Sequence, residues 1–115
     1  MNDPQFELRR QELDPQTAVF ALYGTLTFAA EGEMMAAFND SLEEGVQRVV
    51  LDFNQLTFMN STGIGLLVTL LVRANRSGTR LYATGLTPHY QEIFRMTRLE
   101  EAFTIIPDLQ ALPAL

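Results

Sequence analysis

The sequence contains no cysteine, no lysine and a single histidine. The lack of cysteine excludes disulfides and thiolate metal sites, and one histidine argues against a histidine-rich centre, so we expect no metal and no cofactor. All eight basic residues are arginines, and fourteen acidic residues bring the net charge to −6. An acidic chain without a basic cluster is a poor candidate for binding nucleic acid.

Long apolar runs are also absent. No uninterrupted apolar segment approaches the roughly 20 residues that cross a bilayer. Residues 1–4 do not resemble a signal peptide. We therefore expect a cytoplasmic protein with no membrane insertion. The length of 115 residues, 47% of them apolar, predicts one globular domain over residues 1–115.

Apolar periodicity predicts alternating strands and helices after an initial hairpin. The predicted strands cover residues 6–11, 17–26, 49–53, 80–85 and 103–106. The predicted helices cover residues 31–42, residues 64 to about 76–78, and residues 87–99, and residues 108–112 add at most a final helical turn. The order ββαβαβαβ indicates an α/β fold: a single-layer mixed β-sheet packed with helices, parallel apart from the first hairpin.

The chain is organised around residues 58–65, which read Phe-Met-Asn-Ser-Thr-Gly-Ile-Gly between a strand and a helix. Asn60, Ser61 and Thr62 are all good helix N-caps, and Gly63 and Gly65 leave the helix start uncrowded. The N-terminus of a helix carries unpaired N–H groups and partial positive charge, so it can hold a phosphate on Ser61. Spacing alone favours a simple capping role for Ser61.

The segment from Asp52 to Gly65 resembles the signature of the STAS domain, the anti-sigma factor antagonist family. In that family a strand similar to "VVLDF" leads into "FMDS[ST]G[IL]G" at the start of a helix. The resemblance extends over residues 6–112 or so and implies the STAS fold. It also implies that Ser61 is the phosphorylation site, with Thr62 the weaker alternative.

The resemblance further implies a bacterial signalling mechanism. The unphosphorylated domain sequesters an anti-sigma factor that is itself a serine kinase and uses ATP; phosphorylation ends the binding, and a serine phosphatase restores it. The implied partner-binding residues come from two segments. The motif contributes Asn60, Thr62, Gly63, Ile64 and Gly65, and a second loop contributes Thr25, Leu26 and Thr27.

This chain departs from the family pattern where the family carries acids. Asn60 replaces the usual acid before the phosphorylated serine, and Thr25 and Thr27 stand where many antagonists read Gly-Glu-Leu-Asp. These losses mildly favour an alternative function as an adaptor that binds without phosphorylation in a transport complex, such as the ABC machinery of lipid trafficking. Asp52 is interpreted as a strand-end acid that supports the following loop.

We do not expect an enzyme, and we assign no catalytic residue. Ser61 lacks the G-x-S-x-G context of a hydrolase nucleophile, and His89 lies in the first turn of a helix, where a cationic imidazole is disfavoured. The glycines also lack the spacing and lysine of a P-loop. The apolar stretch between Leu66 and Val72 leaves a weak homodimer open.

Overall fold

The computed structural model describes residues 5–114. Its strands are β1 (Glu7–Asp14), β2 (Thr17–Leu26), β3 (Arg48–Asp52), β4 (Leu56–Met59), β5 (Arg80–Thr84) and β6 (Phe103–Ile105). Its α-helices are α1 (Glu31–Glu43), α2 (Ser61–Ser77) and α3 (Pro88–Met96). Short 3₁₀ helices form at Phe28–Ala30, Leu99–Glu101 and Leu109–Ala111.

One mixed sheet forms the centre of the fold, with the strand order β1-β2-β3-β5-β6. β1 and β2 pair antiparallel, and the pairs β2–β3, β3–β5 and β5–β6 are parallel. Gln16 donates its amide to the Asp14 side chain in the turn between the first two strands, 2.8 Å away. The predicted α/β class and mixed sheet are confirmed.

The sixth strand, β4, was not predicted, because Phe58 and Met59 were interpreted as loop. β2 is ten residues long and β3 only five. β3 pairs with residues 17–21 of β2, so the far end of β2 has no neighbour on that side. β4 fills this gap and pairs parallel with Gly24, Thr25 and Leu26. The chain therefore enters the motif as a strand.

The ends of three helical segments also differ from the prediction. α2 begins at Ser61, three residues before the predicted start. α3 ends at Met96, and Leu99 lies in a separate 3₁₀ helix after Arg98, which has a left-handed backbone with φ of 64°. The final helical turn is the 3₁₀ helix Leu109–Ala111, which Asp108 caps.

The main core lies between one face of the sheet and the three α-helices. Its largest fully buried side chains include Phe20, Phe38, Phe94 and Phe103. Burial of each such ring contributes about 2–3 kcal/mol relative to exposure. Among residues 5–114, no helix is both long and apolar enough to cross a membrane.

A smaller cluster covers the opposite face of the sheet. Val19, Val50, Tyr82 and Ile106 are buried there beneath Leu109 and Leu112 of the C-terminal segment. This segment is also held by a buried cation, because Arg48 donates to the Pro113 carbonyl and, at 2.7 Å, to the Thr17 hydroxyl. The C-terminal segment is thus an integral layer over the second face.

Candidate functional site

Ser61 is the first residue of α2, and Asn60 alone separates it from the end of β4. Asn60 has an extended backbone and caps the helix, since its Oδ1 accepts the Gly63 amide at 3.0 Å. The same oxygen accepts the Thr62 hydroxyl at 2.8 Å. Capping therefore belongs to Asn60, and Ser61 is not needed for it.

The two hydroxyls of the motif differ in availability. Thr62 Oγ1 donates to Asn60 and also accepts the Phe28 amide at 3.0 Å, so both of its hydrogen-bonding functions are in use. Ser61 is exposed, and its hydroxyl makes no hydrogen bond to any residue from 5 to 114. The structure thus presents Ser61 to solvent and holds Thr62 in a bridge between two segments.

A hydrogen bond and a close backbone approach hold the end of β2 against the start of α2. The Asn60 amide donates to the Leu26 carbonyl at 3.3 Å. A Cβ on Gly63 would lie 2.2 Å from that same carbonyl oxygen, so only glycine allows the helix to approach so closely. The predicted loop and the predicted motif therefore form one continuous surface.

The predicted partner-binding residues are not equally accessible. The Leu26 side chain is fully buried in the main core, and Gly63 is buried beneath it. Thr25 and Thr27 are half-buried, and the Thr27 hydroxyl accepts the Ala29 amide at 3.1 Å. Contact through Leu26 is thus restricted to its backbone. β2 turns the Leu26 side chain into the core, and the partner-binding role of Leu26 stays a prediction.

The segments that border Ser61 carry two exposed aromatic rings, and neither ring is among the partner-binding residues predicted from the sequence. Phe28 is 45% exposed in the 3₁₀ helix that contacts Thr62, and Phe58 is 53% exposed on β4. On α2, the exposed residues Gly65, Val68 and Val72 continue from Ser61 at helical spacing. Phe58 is part of the motif, and this position was a signal that it could belong to the site. The exposure of its ring could not be predicted, because it depends on β4, which the sequence pattern did not predict.

The first turn of α2 carries no acidic residue, and Asn60, Thr25 and Thr27 are uncharged. The helix terminus therefore faces solvent with its partial positive charge uncompensated by a neighbouring carboxylate in the motif. The amides of Gly63 and Ile64 already donate to Asn60. A phosphate on Ser61 would thus interact with the field of the helix end more than with these two amides.

Asp52 and His89 make their contacts with residues other than Ser61. Asp52 ends β3, and its Oδ1 accepts both the backbone and side-chain N–H of Asn54, which supports the turn into β4. His89 is exposed on α3 with its ring centroid 5.4 Å from that of Tyr90. In the described part of the chain, no group of three or more His, Cys, Asp or Glu side chains is arranged to hold a metal.

Comparison with protein families identifies the fold. The model of the STAS domain matches residues 9–112, which is most of the chain. The chain belongs to the STAS domain family. Within this STAS domain, the matched region contains the whole segment from β2 to α2 that presents Ser61.

Solved structures share this STAS fold at low sequence identity. The Bacillus cell fate determinant SpoIIAA in its phosphorylated form is 20% identical, with a TM-score of 0.71 over 91% of this chain and 96% of that one. An anti-sigma factor antagonist from Mycobacterium paratuberculosis is 15% identical, with a TM-score of 0.74 over 92% and 89%. A sulfate transporter family protein from Wolinella succinogenes is 17% identical, with a TM-score of 0.68 over 84% and 83%.

Proposed function

We propose that this STAS domain is a cytoplasmic anti-sigma factor antagonist whose binding is gated by phosphorylation of Ser61. The observation that carries the proposal is the state of the two hydroxyls: Ser61 is exposed and unbonded, whereas Thr62 is fully engaged. The STAS family match and the antagonist structures among its neighbours support the same function.

In the unphosphorylated state, the proposed interface consists of Ser61 with the apolar surface around it. Phe28 and Phe58 supply exposed apolar area to this surface, being 45% and 53% exposed. Aromatic side chains of this kind often dominate the binding energy of protein interfaces. The partner is an anti-sigma factor with serine-kinase activity, which binds this surface and is thereby kept from its sigma factor.

Phosphorylation would reverse this binding through charge. The Ser61 oxygen attacks the γ-phosphorus of ATP bound to the partner; the bond to the β-phosphate oxygen breaks, ADP leaves, and the hydroxyl proton passes to a base of the kinase. The phosphoserine brings nearly two negative charges into a surface that must be desolvated for binding. A phosphatase removes the phosphate by hydrolysis. The domain itself binds and accepts phosphate and does no catalysis.

The site assignment is tested with the cognate kinase, ATP and mass spectrometry of the intact protein. We expect one phosphate on the wild type and on Thr62→Val, and none on Ser61→Ala. Full phosphorylation of Ser61→Ala would refute the assignment to Ser61.

The electrostatic switch is tested by calorimetry with the kinase and Ser61→Asp. We expect binding at least about tenfold weaker than wild type, or ~1.4 kcal/mol. Gln47→Glu is the matched control, because it adds the same charge at an exposed residue just before β3, at the opposite end of the parallel strands. Equal affinity of Ser61→Asp and wild type would contradict the switch.

A second candidate function is an adaptor subunit in a transport complex, including ABC lipid-trafficking machinery. The sulfate transporter family protein among the structural neighbours favours it, as do the uncharged residues Asn60, Thr25 and Thr27. In that case the partner would bind the same surface without a kinase. Pull-down of a transporter component by wild type and Ser61→Asp alike would support the adaptor.

A further inference from the structure

A cleft lies on the sheet face opposite the α-helices, at the carboxyl ends of β3 and β5. Its volume is about 330 Å³, and it is lined by Asp52, Asn54, Thr84, Asp108, Leu109 and Gln110. The lining contains carboxylates, amides and a hydroxyl, but no arginine or histidine. In α/β sheets, ligands bind preferentially in crevices outside the carboxyl ends of parallel strands.

Thr84 provides an independent indication of a ligand. Its side chain is 2% exposed, and its hydroxyl has no hydrogen-bond partner among residues 5–114. A buried hydroxyl without a partner is costly, so native structures rarely contain one without a reason. Strand alternation places Thr84 on the same face as Tyr82, which packs with Leu109, so the Thr84 side chain lies on the side of the sheet that holds the cleft and lines it.

The side chains around Thr84 are already held in place. Asp52 is in register with Thr84 on the neighbouring strand, and its Oδ1 is fixed by Asn54. Asn54 in turn packs against Gly85, where a Cβ would lie 2.6 Å from its side chain. Asp108 Oδ1 accepts the Ala111 amide at 3.1 Å. These bonds use Oδ1 of each aspartate and leave Oδ2 for a ligand.

We propose that this cleft binds a small guanidinium compound. The lining is rich in acceptors and bears two carboxylates with no internal cation. A guanidinium offers five N–H donors in a plane and pairs with carboxylates through two parallel hydrogen bonds. A bare metal ion fits less well, because the cleft is far larger than one ion and the described residues contain no trio of metal-ligating side chains there. Thr84 is the acceptor that completes the site.

The test is a titration of ¹⁵N-labelled full-length protein with methylguanidinium, followed by NMR. We expect saturable amide shifts in the residues around Asp52, Thr84 and Asp108 at millimolar ligand. Thr84→Val, Asp52→Asn and Asp108→Asn should each weaken binding about three- to tenfold. These changes are nearly isosteric, and asparagine retains an acceptor for the Asn54 and Ala111 amides, so the variants remain folded.

Asp40→Asn is the matched control, because Asp40 is an exposed acid on α1, away from the cleft lining. We expect it to bind methylguanidinium as the wild type does. Absence of saturable shifts, or equal weakening by Asp40→Asn, would overturn the proposal, since the second result would indicate general attraction to an acidic protein. Binding unaffected by both Thr84→Val and Asp52→Asn would also overturn it.

Two further probes identify the source of the guanidinium. Butylguanidinium represents a free small molecule, and N-acetylarginine methylamide represents an arginine side chain of a peptide. Saturable binding of either at the cleft supports the site, and the tighter of the two identifies the source. None of these measurements depends on Ser61, so the failure of this proposal leaves the proposed antagonist function standing.

Discussion

Asn60 shows how a change of charge can leave geometry intact. Both hydrogen bonds that define its cap use Oδ1 as acceptor, and an aspartate oxygen would accept them equally well. What the asparagine removes is a negative charge directly beside Ser61. The departure from the family's acidic residue therefore concerns electrostatics at the proposed phosphorylation site and leaves the start of α2 unchanged.

We predict that Asn60→Asp is as stable as the wild type, or slightly more stable, because the new carboxylate retains the cap and interacts favourably with the helix dipole. Asn60→Ala should lower the free energy of unfolding by about 1 kcal/mol, because Gly63 loses its acceptor. Urea denaturation followed by circular dichroism checks both. A loss of stability in Asn60→Asp equal to that in Asn60→Ala would contradict this account of the cap.

At Thr84, one substitution is expected to have opposite effects on the stability of the protein and on its binding of a guanidinium compound. Thr84→Val removes a buried hydroxyl that has no partner in the described part of the chain and keeps the shape of the side chain, so it should raise the free energy of unfolding by about 1 kcal/mol. Thr79→Val is the control, since the Thr79 hydroxyl lies 2.9 Å from that of Ser77 and its loss should destabilise the protein. Chemical denaturation of both variants measures the difference. Destabilisation by Thr84→Val would mean that its hydroxyl is satisfied in solution.

The glycines of α2 provide the sharpest comparison between two positions of one helix. Gly63→Ala should destabilise the protein by about 2–3 kcal/mol or more, because the added Cβ would meet the Leu26 carbonyl. At Gly65, no atom of the residues that the structure describes lies within 4 Å of an added Cβ. Gly65→Ala should therefore gain about 0.5–1 kcal/mol through helix propensity. Thermal and urea unfolding of the pair tests this; similar effects of the two substitutions would contradict the close approach.

The contact between β1 and α1 includes an ion pair that should make stability depend on pH. Arg10 donates to both carboxylate oxygens of Glu44 at 2.9 and 2.7 Å, and this hydrogen bonding holds the pKa of Glu44 below its ordinary value of 4.5. The folded state therefore binds this proton less readily than the unfolded state. Its stabilisation is present above pH 4.5 and is lost as the pH falls through the lowered pKa.

We accordingly predict that Glu44→Gln lowers the melting temperature by a few degrees at pH 7, and that this difference shrinks as the pH falls below 4.5 through the lowered pKa of Glu44, because the wild type then loses the carboxylate charge as well. The control is Glu43→Gln, which removes an exposed charge from the adjacent residue. Scanning calorimetry across this pH range gives the comparison. A difference between wild type and Glu44→Gln that stays constant with pH would refute the role of the ion pair.

For the molecule as a whole, the C-terminal segment contributes to stability, because it covers the second face of the sheet. Ending the chain at Pro107 would uncover Val19, Val50 and Tyr82 and remove the Pro113 carbonyl from Arg48. We expect a loss of about 2–4 kcal/mol in the free energy of unfolding and new binding of an apolar dye. Gln110→Ala, at an exposed residue of the same segment, should change neither. Unchanged stability of the shortened chain would contradict this role.

The sequence was sufficient for most of the architecture but not for the surfaces. Val49, Val50 and Leu51 predicted a buried strand from local pattern alone, and all three are buried. β4 could not be predicted, because its four residues pair only with the uncovered end of β2, which is a consequence of unequal strand lengths. The motif identified Ser61 as the site. The difference between its exposed hydroxyl and the bonded hydroxyl of Thr62 became visible only in the structure. The predicted single-domain extent and the weak homodimer remain predictions, and Leu66, Leu67 and Leu70 are occupied in the core.

The close approach of Gly63 to the Leu26 carbonyl has a consequence for the speed of the proposed response. The backbone approach, the Asn60 amide and the Thr62 bridge hold both sides of the surface in fixed positions. A phosphate on Ser61 then acts on a surface that need not unfold, hinge or reorder before its affinity changes. The time course of the switch would be that of phosphoryl transfer and hydrolysis alone, and a cell would adjust it through the amounts of kinase and phosphatase.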